Sequence, residues 1–165
     1  MLTSDIDNCL SSVPSFVGTF PCNQITPVSV RPAFYVLNTA PLNKTSKITG
    51  EHWVSVLLKS DGTGEYFDSF GLPPTQPLIA AFLKRTCPQG YDMGCRVLQD
   101  ASTRVCGVYC VDYVLSRASG LSLQSYLGLF GPNSTLNDKL VIDRVACRLS
   151  ARQPSLRSKL KTLLQ

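Results

Sequence analysis

Residues 99–117 read Q-D-A-S-T-R-V-C-G-V-Y-C-V-D-Y-V-L-S-R. The segment opens polar and turn-like, passes Cys106-Gly107, and continues as a long apolar run. That pattern predicts a loop feeding a buried helix, with a cysteine at the junction. A helix N-terminus carries unpaired N–H groups and partial positive charge. Both favour a thiolate over a thiol at Cys106, and the thiolate is the nucleophilic form. Cys110, one turn further on, points into the helix interior and reads as core.

Working outward, residues 34–37 and 53–58 are β-branched and aromatic and read as strands. Residues 60–64, S-D-G-T-G, form a strong hairpin signal, so 65–68 returns antiparallel to 53–58. Residues 95–98 read as a short strand entering the central segment, and 38–50 as a surface loop. Residues 4–13 predict a helix capped by Ser4 with Asp7, followed by a packed loop through residue 25. Residues 78–85 predict a second helix. Downstream, helices are expected over 122–130 and 134–152. Thr135 and Asp138 suggest a capping box for the last, and Leu136, Leu140, Val141, Val145 and Leu149 its apolar stripe. Strands in the middle and helices at both ends give an α+β fold: a mainly antiparallel or mixed sheet flanked by helices.

The 165 residues, 44% of them hydrophobic, suit one domain spanning 1–165. No apolar run approaches the roughly 20 residues that span a bilayer. The first ten residues carry acids and no secretory pattern, so a soluble intracellular protein is expected. Seven cysteines without an export signal argue against a disulfide framework. With no C-x-x-C pair and one histidine, a structural zinc is not expected. The formal charge is +5. From about residue 134 a basic helical segment closes the chain: after Asp143 come no acids, but Arg144, Arg148, Arg152, Arg157, Lys159 and Lys161. This is either a solvated helix face or an electrostatic contact with nucleic acid or an acidic partner. No aromatic residue is interleaved for stacking on single strands.

The chemistry a cysteine at position 106 needs can be assembled from few residues. His52 is the one histidine, hence the one imidazole base. Asp68 ends the strand returning from the hairpin, at the same end of the pair as His52. A carboxylate there would orient the ring and stabilise its charged form. Gln99 can offer an amide N–H to an oxyanion, with the Cys106 N–H as second donor. Taken singly, His52 reads as structural, Asp68 as a turn former and Gln99 as an ordinary polar residue. Together they supply base, orienter, oxyanion donor and nucleophile.

These residues resemble the adenovirus-type cysteine endopeptidases, adenain, and more distantly the Ulp1-like SUMO proteases. The matching segments are L-N-T-A at 37–40, G-E-H-W at 50–53, Y-F-D-S-F-G at 66–71, and Gln99 with V-C-G-V-Y-C at 105–110, in the order His, acid, Gln, Cys. The similarity covers roughly residues 16–130 and implies that family's fold. It implies His52 as general base, Asp68 as its orienting acid, Gln99 in the oxyanion hole and Cys106 as nucleophile. Gly50, Glu51 and Trp53 would line a narrow substrate channel that admits glycine at the scissile bond. It further implies a viral source, capsid precursor proteins as substrates, and a monomer in the host nucleus or the virion. The chain departs from adenain in using Asp68 where adenain has Glu. The chemistry needs no cofactor. Adenain is stimulated by DNA and by a peptide that forms a disulfide with it. Cys87 and Cys95 lie in the matching region but in no motif that aligns, so that activation is not carried over; the basic C-terminal segment keeps a DNA contact open. Two other functions fit the residues: an isopeptidase acting on host ubiquitin-like modifiers, whose Gly-Gly ends would suit the channel, and a non-enzymatic capsid-associated or DNA-binding protein.

Overall fold

A computed structural model describes residues 1–42, 52–149, 158 and 160. In chain order the elements are α1 (Thr3–Leu10), β1 (Phe16–Pro21), β2 (Ala33–Asn38), β3 (Trp53–Leu58), β4 (Gly64–Phe67), α2 (Pro77–Thr86), β5 (Tyr91–Met93), α3 (Cys106–Ala118), α4 (Leu123–Leu127) and α5 (Ser134–Leu149). The strands form one sheet whose spatial order is the chain order, β1-β2-β3-β4-β5. The β2–β3 and β3–β4 pairs are antiparallel, and the outer pairs β1–β2 and β4–β5 are parallel. The fold is thus α+β with a mixed sheet flanked by helices.

Alternation along the strands separates two cores. Phe34, Val36, Trp53, Leu57 and Phe67 face α3, with Tyr109, Tyr113, Val141 and Val145. Tyr35, Leu37, Val54, Val56, Leu58 and Tyr66 face α2, with Ile79, Phe82 and Leu83. Both faces of β2 and β3 are covered, which is why their sequences run apolar without alternation. Helix α3 is the hub of the first core. The ring of Tyr113 stacks on Phe67 at 4.6 Å, and Tyr126 packs edge-on to both. At the far end of α3, Glu65 of β4 accepts two 2.7 Å hydrogen bonds from the Arg117 guanidinium and one from Tyr113. Burial pushes that carboxyl upward, but Arg117 and Tyr113 outweigh it and hold it below its ordinary value. The opposite end of α3 begins at Cys106, and there Tyr109 donates its hydroxyl to the Asp138 carboxylate at 2.9 Å.

Five local expectations are corrected. Helix α1 starts at Thr3, ahead of Ser4, because the Asp5 carboxylate accepts the Leu2 N–H at 3.1 Å. Part of the expected loop is β1: its glycine and proline suggested a turn, but Gly18 at φ 147° sits at a register shift in an edge strand that tolerates both. The last strand is β5 and not 95–98; Leu98 and Gln99 instead donate their N–H groups to the Ser69 carbonyl. Asn133, not Thr135, caps α5 by accepting the Leu136 N–H at 3.0 Å, which releases Asp138 into the interior. Leu136 and Leu140 are exposed, so the buried stripe of α5 is Val141, Ile142, Val145, Ala146 and Leu149. Arg152, the expected end of that helix, lies outside the described residues. No described helix is long and apolar enough to cross a membrane.

Candidate active site

Three element ends converge at one edge of the first core. His52 immediately precedes β3, and its carbonyl accepts the Thr39 N–H at 3.0 Å just beyond β2. Asp68 follows β4. The two side chains meet, with His52 Nε2 2.9 Å from Asp68 Oδ1. The same oxygen accepts the Phe70 N–H at 2.8 Å, and Gly71 closes the turn by donating its N–H to the Asp68 carbonyl at 2.9 Å. Gly71 has φ +67°, and a Cβ there would stand 2.7 Å from the backbone carbon of Arg96. Only glycine lets the acid-bearing turn pass so close to the segment leading to Gln99.

Cys106 is the first residue of α3, behind the non-capping side chain of Val105. The thiol is buried, with 7% of the residue exposed. Gly107 provides the close approach behind it: a Cβ there would meet Trp53 Cδ1 at 3.3 Å and Met1 Cβ at 3.2 Å. Burial opposes ionisation of Cys106. His52 and the backbone N–H groups of Trp53 and Gly107 outweigh it, so the thiol lies below its ordinary value of 9.0. For His52, burial also opposes the charged form, but Asp68 and Cys106 together raise it to about 9. With Nε2 turned to Asp68, Nδ1 is the nitrogen left for the thiol proton. It is buried and meets no partner at hydrogen-bond geometry among the described residues.

Gln99 is 1% exposed, and its amide is held at both ends. Oε1 accepts the Ser69 hydroxyl at 2.8 Å, while Nε2 donates to the Thr103 carbonyl at 3.0 Å and reaches its hydroxyl at 3.3 Å. Both acceptors belong to Thr103, in the loop before α3. Trp53 is 3% exposed and packs over Gly107; it forms the floor behind the cysteine more than an open wall. Gly50 and Glu51, also expected to line the channel, lie outside the described residues.

Three residues stood in the matching segments without a role of their own. Ser69 fixes Gln99, Thr39 clamps the His52 backbone, and Phe70 stacks on the imidazole with ring centroids 5.0 Å apart and an interplanar angle of 29°. Register could have found the last. Ser55 faces Phe67 and Val56 faces Tyr66, and the same antiparallel count carried past the strand ends sets position 70 across from 52. The arrangement can polarise a thiol, take and return its proton, and hold the proton carrier by a carboxylate. Among the described residues no group of three or more His, Cys, Asp or Glu gathers to hold a metal ion.

No family model and no curated relative matches the sequence. Among solved structures the chain is similar to ChlaDub1 from Chlamydia trachomatis, at 17% identity and a TM-score of 0.53, over 75% of this chain and 63% of that one. The chain therefore spans less than two thirds of that structure's length. At 17% identity the likeness shows the fold alone.

Proposed function

We propose that this chain is a cysteine hydrolase that cuts a peptide or isopeptide bond after glycine, and that ubiquitin-like modifiers are its first class of substrate. The observation that carries the chemistry is the 2.9 Å His52–Asp68 contact facing a Cys106 whose ionisation is favoured. The fold likeness is to a protein whose name, ChlaDub1, marks it as a deubiquitinase; that supports the modifier reading over cleavage of capsid precursors, which rests on the sequence resemblance alone. In the mechanism, the Cys106 thiolate attacks the carbonyl carbon beside the scissile bond. The Cys106 N–H and an N–H of the Gln99 amide, turned from Thr103, receive the oxyanion. The C–N bond breaks as His52 gives its proton to the leaving amine. Water, deprotonated by His52, then splits the thioester and returns the enzyme.

The test pairs a fluorogenic ubiquitin-like modifier with a glycine-containing peptide from a capsid precursor. Turnover of the modifier that vanishes in Cys106→Ala, with unchanged circular dichroism, is expected. Turnover that survives in Cys106→Ala overturns the hydrolase reading, and faster cleavage of the capsid peptide restores the viral endopeptidase. A DNA contact through the C-terminal segment has less to draw on than its charge suggests. Arg144 and Arg148 are engaged by Asp112, and Arg152, Arg157, Lys159 and Lys161 lie outside the described residues. DNA affinity that does not fall with salt would remove it.

A further inference from the structure

We propose that Phe70 is a positioning residue for the imidazole of His52: its ring, stacked on one face, keeps the imidazole plane aimed at Cys106 and favours the imidazolium over the neutral ring. The inference deepens the hydrolase reading and rests on it for its catalytic meaning, while its physical content is measurable without any substrate.

Asp68 holds His52 at one point only, Nε2. A ring held at one nitrogen can still tilt about that contact, and a tilt carries Nδ1 away from the thiol. The Phe70 face at 5.0 Å and 29° blocks that movement from one side. Phe70 is itself set by the same carboxylate oxygen, Asp68 Oδ1, through its N–H at 2.8 Å. The turn cannot slide, because Gly71 lies against the Arg96 backbone. One oxygen thus fixes the imidazole and the aromatic ring that supports it. The π face of an aromatic ring attracts a cation over it, so the stack acts on charge as well as on position. The titratable groups that act on His52 among the described residues are Asp68, from the turn after β4, and Cys106, from α3. Phe70 is the uncharged contact, so replacing it changes no charge in the site.

The chain has one histidine, so its Hε1 proton gives a single imidazole NMR signal that needs no assignment. The experiment titrates that signal, and the pH profile of Cys106 alkylation by iodoacetamide, in the wild type and in Phe70→Tyr, Phe70→Leu and Phe70→Ala. Phe70→Tyr should match the wild type. Phe70→Leu keeps the bulk and loses the π face, and should lower the His52 midpoint by about half a unit and slow Cys106 alkylation near neutral pH, because a less favoured imidazolium stabilises the thiolate less. Phe70→Ala should shift both at least as far; if it does not fold, the leucine variant carries the test. Phe70→Leu that titrates and alkylates like the wild type overturns the proposal. The hydrolase reading fails separately, through turnover that survives in Cys106→Ala while the titration shift stands.

Discussion

At Cys106 two opposing effects meet. Burial disfavours the thiolate, and the imidazole with two backbone N–H groups favours it more strongly. Elsewhere burial acts with less opposition: it pushes Cys9 to about 12 and Cys110 well above its ordinary value. Iodoacetamide at pH 6 should therefore label Cys106 first, ahead even of the exposed Cys95 and Cys147, as read by peptide mass spectrometry; equal labelling of Cys95 would contradict an activated thiol. The pH dependence follows from the same pair. His52 is charged below about 9, and Cys106 ionises from below its ordinary value upward, so activity should be bell-shaped with its alkaline limb near 9. Because the His52 value is raised on folding, its contribution to stability is complete below about 6.5 and is lost as pH rises through about 9. Asp68→Asn should move that limb to lower pH and cut kcat/KM by about a hundredfold. His52, Asp68 and Cys106 were legible in the sequence because charge and nucleophilicity are properties of a residue type. Phe70 and Ser69 were not, because a phenylalanine ring and a serine hydroxyl look the same in a core, a turn or a site.

At the scale of elements, the sequence displayed what has a period and hid what does not. β2, β3, β4 and α3 announce themselves by apolar runs, a hairpin turn and helical spacing. β1 carries a glycine and a proline, and β5 is three exposed residues; both are held as strands by pairing with a neighbour, which no local pattern encodes. The Thr135–Asp138 cap failed for a related reason. Asp138 accepts hydrogen bonds from Tyr109 at 2.9 Å and Thr103 at 2.7 Å, partners that only the fold brings near. Helix α5 is joined to α3 by Arg144, whose Nε lies 2.9 Å from the fully buried Asp112 carboxylate. Burial keeps the Asp112 carboxyl above its ordinary value even with Arg144 and Arg148 beside it. Removing a partner from a buried charge costs more than the pair contributes. Arg144→Met should thus destabilise by about 3 kcal/mol, and Asp112→Asn by less, in urea unfolding; the reverse order would mean that the arginines, not the carboxylate, bear the desolvation.

Over the whole molecule, the sheet divides stability from chemistry. His52, Asp68, Gln99 and Cys106 belong to one end of the sheet and the α3 side, while α2 fills the second core behind it. Leu83→Ala in that second core should cost about 3 kcal/mol and leave kcat/KM unchanged at temperatures well below melting. A matching loss of activity would show that the two sides communicate. The α+β class and the meeting of His52 with Asp68 could be read from order along the chain, because a hairpin brings the two together whatever surrounds it. The substrate class could not, since it depends on the surface around the cleft and not on the residues within it. That the sheet's order in space is its order along the chain also bears on time. The β2–β3–β4 meander closes over shorter spans of chain than the contact between β3 and α3, and shorter closures come first in folding. His52 and Asp68 would then be in each other's reach while the helix that begins at Cys106 is still undocked, and a partly made chain would carry a paired imidazole with no thiol beside it.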